Sequence, residues 1–190
     1  YTPNDKWSQL AAEEGYRARS VYKLAELDKK FRLLKHGMTV LDLGAAPGSW
    51  LQYVADQYKR CKVIGVDLQE IEPIEGVITY KEDITDLEAI NKILEKEDAT
   101  TVDLIISDLA PATSGIKDVD QWKSIELSQA VVAIAHLHLK DGGTCVMKVL
   151  RGSDFDEFLV ELKRDWKYTH VAITKVSRDR SKEVYVLITK

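Results

Sequence analysis

From residue 39 onward, short runs rich in Val, Ile and Leu alternate with longer stretches in which apolar residues recur every three or four positions. The short runs predict strands at Thr39–Leu43, Lys62–Asp67, Val77–Lys81, Val102–Ser107, Gly143–Val149, His170–Thr174 and Glu183–Thr189. The longer stretches predict helices near Ser49–Tyr58, Asp86–Glu97, Asp120–His138 and Phe155–Trp166. Strands apolar at nearly every position are buried on both faces, so the pattern points to an α/β fold, a mostly parallel sheet with helices on both sides. Ahead of the first strand, Val21, Leu24 and Leu27 fall at helical spacing within Arg19–Leu27. The segment 1–36 is therefore expected to be a helical extension of a single domain spanning 1–190.

The last two strands depart from this rhythm. Only Lys175–Lys182 joins them, and a parallel crossover needs about a dozen residues or more. They should form a hairpin, which makes one strand antiparallel to the rest. A seven-stranded sheet ending in such a hairpin is, by analogy of fold, the Rossmann-like architecture of S-adenosylmethionine-dependent methyltransferases, whereas a nicotinamide-binding domain ends in parallel strands.

Residues 40–50, Val-Leu-Asp-Leu-Gly-Ala-Ala-Pro-Gly-Ser-Trp, run from a strand through a glycine-bearing turn into a helix. Gly44 and Gly48 let a ligand lie against bare backbone at the carboxyl end of the strand. Asp42 is placed to order the turn or to meet an ammonium group. Asp67 closes the next strand about 20 residues on, the spacing expected of a carboxylate gripping a ribose. Asp83, after the third strand, is placed to accept from an adenine amino group. Pro47 lacks an N–H, which suits a cofactor without a pyrophosphate. The expected cofactor is S-adenosyl-L-methionine.

Three more residues belong together by topology. Asp108 follows the fourth strand, Lys148 lies within the fifth between apolar residues, and Glu183 opens the antiparallel last strand. All three reach the same end of the sheet. A lysine in a central strand is costly to bury unless paired, and a Lys–carboxylate cluster beside a methyl donor suits proton removal from a weakly acidic hydroxyl. A lysine in such a cluster would accept the proton as a neutral amine, or as a cation stabilise developing alkoxide charge.

Taken together, Arg-Ala-Arg-Ser-Val-Tyr-Lys-Leu (17–24), Leu-Gly-Ala-Ala-Pro-Gly-Ser-Trp (43–50), Ser-Asp-Leu-Ala-Pro (107–111), Met-Lys-Val (147–149) and Arg-Ser-Lys-Glu-Val-Tyr (180–185) resemble the FtsJ/RrmJ family over nearly the whole chain. These are RNA ribose 2′-O-methyltransferases with a Lys-Asp-Lys-Glu tetrad, matched here by Lys23, Asp108, Lys148 and Glu183. The resemblance implies that Lys148 is the base, that Lys23 and Asp108 orient it and the target ribose, and that Glu183 supports them. It also implies that Gly48, Trp50, Asp67, Asp83 and Asp108 surround the cofactor. Many bacterial members carry a second glycine where this chain has Ser49; Gly-Ser-Trp also occurs in eukaryotic tRNA-directed relatives.

The net charge of −4 argues against coating by nucleic acid, yet only one face need be basic. Arg17, Arg19, Lys23, Lys29, Lys30, Arg32 and Lys35 give the N-terminal segment an excess of positive charge, and Arg178, Arg180 and Lys182 add to it from the hairpin loop. These arginines are the candidate RNA contacts. The leading expectation is methylation of a uridine ribose in large-subunit ribosomal RNA. The alternatives are a tRNA anticodon-loop 2′-O-methyltransferase and a non-catalytic ribosome-assembly factor, which would not need Lys148. A metal is not expected, because the four histidines are scattered. Nor is a membrane partner, because no apolar run is long enough to span one. The two cysteines read as small buried hydrophobes of a reducing compartment, so a cytoplasmic monomer is expected.

Overall fold

The computed structural model describes residues 5–112, 114–177 and 182–190. Two helices, α1 (Lys6–Glu13) and α2 (Val21–Phe31), precede β1 (Thr39–Leu43). There follow α3 (Ser49–Gln57), β2 (Lys62–Asp67), β3 (Val77–Lys81), α4 (Leu87–Lys96), β4 (Val102–Ser107) and α5 (Lys117–His138). The chain ends with β5 (Leu139–Leu150), α6 (Phe155–Asp165), β6 (Tyr168–Ala172) and β7 (Glu183–Thr189). The strands form one sheet in the order β3-β2-β1-β4-β5-β7-β6. The first five are mutually parallel, and β7 lies between β5 and β6, antiparallel to both.

Strand alternation sorts side chains between two cores. Leu41, Leu43, Ile105, Cys145, Met147, Val149, Val184 and Val186 face α4, α5 and α6. Their neighbours Val40, Leu104, Ile106, Val146, Tyr185 and Leu187 face α2 and α3. Asp42, Lys148 and Glu183 share the second parity, since residues two apart on a strand line one face. The polar residues of interest therefore project beneath α2, at the carboxyl end of the parallel strands.

Expectation and structure differ at several boundaries. Helix α1 goes unread in the sequence because it buries little, only Ala11 fully. Strand β5 begins four residues early because α5 runs directly into it, and the pairing of β4 with β5 shifts register beyond Val102. Strand β6 lies two residues earlier than expected: Tyr168 pairs with Thr189, while Ile173, which looks like a strand residue, is 66% exposed beyond the last pair.

Candidate active site

The carboxyl ends of β4 and β5 and the start of β7 meet under α2. Ser107 is in register with Met147, which sets Asp108 beside Lys148, and Lys148 lies directly across from Tyr185. Lys148 Nζ donates to the backbone carbonyl of Asp108 at 2.7 Å and lies 3.3 Å from Asp108 Oδ1 and 3.9 Å from Glu183 Oε2. Lys23, reaching down from α2, closes the group with Nζ 2.6 Å from Glu183 Oε1. Both lysine side chains are about nine-tenths buried. Four residues far apart in the sequence thus form one network of two lysines and two carboxylates.

Two further residues belong to it. Tyr185 OH donates to Asp108 Oδ1 at 2.6 Å and to Glu183 Oε1 at 3.4 Å, and Ser177 Oγ donates to Glu183 Oε1 at 2.8 Å. Burial pushes the Tyr185 hydroxyl well above its usual range, helped by the charges of Asp108 and Glu183, so it stays a donor. Burial pushes the Glu183 carboxyl up, but Lys23 and Lys148, with hydrogen bonds from Lys23 and Ser177, outweigh it and leave the group below its ordinary value. Tyr185 was legible in principle, because two residues after Glu183 on a strand is the same face. Ser177 had no such signal.

Next to this network the β1–α3 turn forms the second half of the site. A small cavity of about 40 Å³ is lined by Ser20, Asp42, Gly44, Ala45, Ala46, Ser49, Trp50 and Asp108. Among the described residues, Asp42 Oδ2 is buried with no hydrogen-bond partner. Burial, then the charges of Asp108 and Asp67, raise the Asp42 carboxyl well above its usual range. Gly44 takes φ +78°, and the face on which a ligand was expected is covered by Leu109: a β-carbon there would fall 2.1 Å from Leu109 Cδ2. Gly48, at φ +110°, starts α3 in a conformation side chains rarely adopt. Asp67 Oδ2 accepts from Ala46 N–H at 2.9 Å and Oδ1 from Gln69 N–H at 2.8 Å, tying the turn to the end of β2. Asp83 makes a local turn with Thr85. The Trp50 ring is buried and donates from Nε1 to the Ser20 carbonyl.

The basic residues have divided roles. Arg17 donates to the carbonyls of Pro47, Glu72 and Pro73 at 2.7–3.0 Å, clasping the β1–α3 turn to the segment after β2. Arg19 pairs with Asp5 at 2.8 Å. Arg32 ends α2 in a left-handed conformation with its side chain exposed. Arg178 and Arg180 lie outside the described residues. Among the described residues no His, Cys, Asp and Glu cluster could hold a metal, and no helix is long and apolar enough to cross a membrane.

The family model described as FtsJ-like methyltransferase matches residues 16–190. Ribosomal RNA large subunit methyltransferase E of Methanothrix thermoacetophila is 45% identical over 183 residues, covering 96% of this chain and 71% of its own length. The protein of the same name from Chromohalobacter salexigens is 41% identical over 186 residues, covering 97% and 88% respectively. Among solved structures, a Plasmodium falciparum protein described as a ribosomal RNA methyltransferase superposes with a TM-score of 0.81 at 30% identity, covering 92% of this chain and 97% of that one.

Proposed function

This chain belongs to the FtsJ-like methyltransferase family, and we propose that it transfers the methyl group of S-adenosylmethionine to a ribose 2′-hydroxyl of RNA, with large-subunit ribosomal RNA as the substrate. The observation that carries the reading is the buried set of Lys23, Asp108, Lys148 and Glu183 at the same sheet end as the glycine turn.

The residues of the turn fit such a donor. Asp42 offers an unpartnered buried carboxyl oxygen to an ammonium, and Asp67 and Asp83 offer carboxylates at the ends of β2 and β3 to ribose hydroxyls and an adenine amino group. Bound there, S-adenosylmethionine supplies a methyl carbon activated by an adjacent sulfonium. The protein's own work is then to hold the acceptor oxygen and remove its proton. Lys148 Nζ, the cation of the resting ion pairs, takes that proton after giving its own to solvent. Asp108, through its carbonyl and carboxylate, fixes the Nζ direction, and Tyr185 fixes Asp108. Lys23 is held by Glu183 where it can orient the ribose. Such positioning of two reacting groups is a large source of rate in its own right.

Ribosomal RNA is favoured because the relatives at 41–45% identity carry that substrate in their names. The test is transfer of labelled methyl from S-adenosylmethionine to purified large ribosomal subunits and, in parallel, to bulk tRNA. Label in ribosomal RNA as 2′-O-methylnucleotide is the expected result. Label in tRNA alone would move the substrate to tRNA, and label in neither would overturn the reading.

A further inference from the structure

Outside the tetrad, a groove runs between α1, α2 and the segment after β6. It encloses about 660 Å³ and is lined by Trp7, Tyr22, Lys29, Lys30, Lys175 and Val176, with Ala25 and Glu26 in its wall. That volume lies within the ~300–1,000 Å³ typical of ligand clefts. Its aromatic floor is the Trp7–Tyr22 pair, whose ring centres are 5.3 Å apart. Both rings are partly exposed, and Lys6 Nζ stands 4.9 Å over the indole. Three acids lie close by: Glu14 accepts from Tyr22 OH and Glu26 from the Lys175 backbone N–H, both at 2.8 Å, and Glu13 is near enough to act on Tyr22 through its charge. Three exposed lysines therefore face one wall carboxylate in a protein whose net charge is −4.

Two residues of the groove adjoin residues of the tetrad network along the chain. Tyr22 precedes Lys23, and Val176 precedes Ser177, the donor to Glu183. An aromatic floor flanked by lysines is what an unpaired nucleic-acid strand requires: a flat apolar face for a base and cations for the phosphates. A duplex keeps its bases stacked on one another and offers no free face.

We infer that this groove seats an unpaired RNA segment flanking the methylated nucleotide, with a base on Trp7 and Tyr22 and its phosphates on Lys29, Lys30 and Lys175. This rests on the RNA-methyltransferase reading and narrows it: the substrate is single-stranded at and beside the acceptor. The full chain is titrated with a fluorescein-labelled single-stranded RNA 20-mer and with the corresponding duplex, across a range of salt. Trp7→Ala should raise Kd for the single strand about 5- to 150-fold, the worth of one stacked base, and Trp7→Phe should restore most of it. Lys29→Gln, Lys30→Gln and Lys175→Gln combined should lower the slope of log K against log salt by about two. Calorimetric affinity for S-adenosylmethionine should stay unchanged in each. Single-strand binding with wild-type Kd and salt slope in these variants, or duplex bound as tightly as single strand by the wild type, would overturn the inference. Should Trp7→Ala fail to fold, photo-crosslinking of a 5-iodouridine RNA to the wild-type protein decides: adducts on Trp7 or Tyr22 support the groove, and adducts confined elsewhere refute it. Wild-type methyl transfer to ribosomal RNA is scored separately, so loss of the functional reading is told apart from loss of the groove.

Discussion

Replacing Lys148 by alanine removes an amino group, about nine-tenths buried, from between Asp108 Oδ1 at 3.3 Å and Glu183 Oε2 at 3.9 Å. At an effective dielectric of ~20, unit charges 3.3 Å apart attract by about 5 kcal/mol. Desolvation takes back several kcal/mol per ion, so the intact pair is worth little net, whereas breaking such a pair costs about 3–5 kcal/mol through the charge left behind. Here Tyr185 still donates to Asp108 and Lys23 still pairs with Glu183, which places the loss near the lower end, about 3 kcal/mol. For a chain of this size that corresponds to a fall in Tm of roughly 6–12 °C, with the protein still folded at 25 °C. Methyl transfer should drop by about 10²–10⁴, the usual cost of a missing general base. S-adenosylmethionine affinity should hold, because Lys148 lines neither the β1–α3 turn nor its cavity. Lys148→Arg keeps the charge but cannot accept a proton, so it should melt closer to the wild type and still be inactive. The assays are scanning calorimetry, calorimetric titration with S-adenosylmethionine, and single-turnover transfer to ribosomal RNA. A folded Lys148→Arg protein that methylates at the wild-type rate would refute the proton-acceptor role.

Asp42→Asn should stabilise the protein without cofactor at neutral pH and weaken S-adenosylmethionine binding. The folded protein holds the Asp42 proton more tightly than the unfolded chain does, so this group's contribution to stability falls as pH rises from about 4. Thermal melts at pH 5 and pH 8 should therefore diverge less in the variant, and an equal pH dependence would count against the buried-acid argument. Arg17→Ala should weaken cofactor binding by about 1.5–3 kcal/mol, since the Pro47 carbonyl of the turn loses the charged donor that ties it to the Glu72 and Pro73 carbonyls after β2; a normal cofactor affinity combined with weakened RNA binding would mark Arg17 as an RNA contact instead. Asp67→Ala should likewise cost about 1.5–3 kcal/mol of cofactor affinity in calorimetry, and no change there would remove Asp67 from the ribose site.

Local alternation, turn chemistry and the length of one connection were enough to predict seven strands, the glycine turn after β1 and the terminal hairpin, with only the bounds of β5 and β6 clearly displaced. The sequence also located Asp108, Lys148 and Glu183 at one end of the sheet, since strand direction alone decides which end a residue reaches. Lys23 could be placed only by resemblance: nothing in a helical stripe of Val21, Leu24 and Leu27 says that the lysine between them turns under the helix to meet Glu183. The insertion of β7 between β5 and β6, the Tyr185 bond to Asp108 and the commitment of Arg17 to three backbone carbonyls were likewise decided by the tertiary structure. Side-chain parity is written in the chain two residues at a time, but which surface a face meets depends on elements as many as 160 residues away, as Lys23 and Glu183 are, and that pairing exists only once the sheet has closed around it.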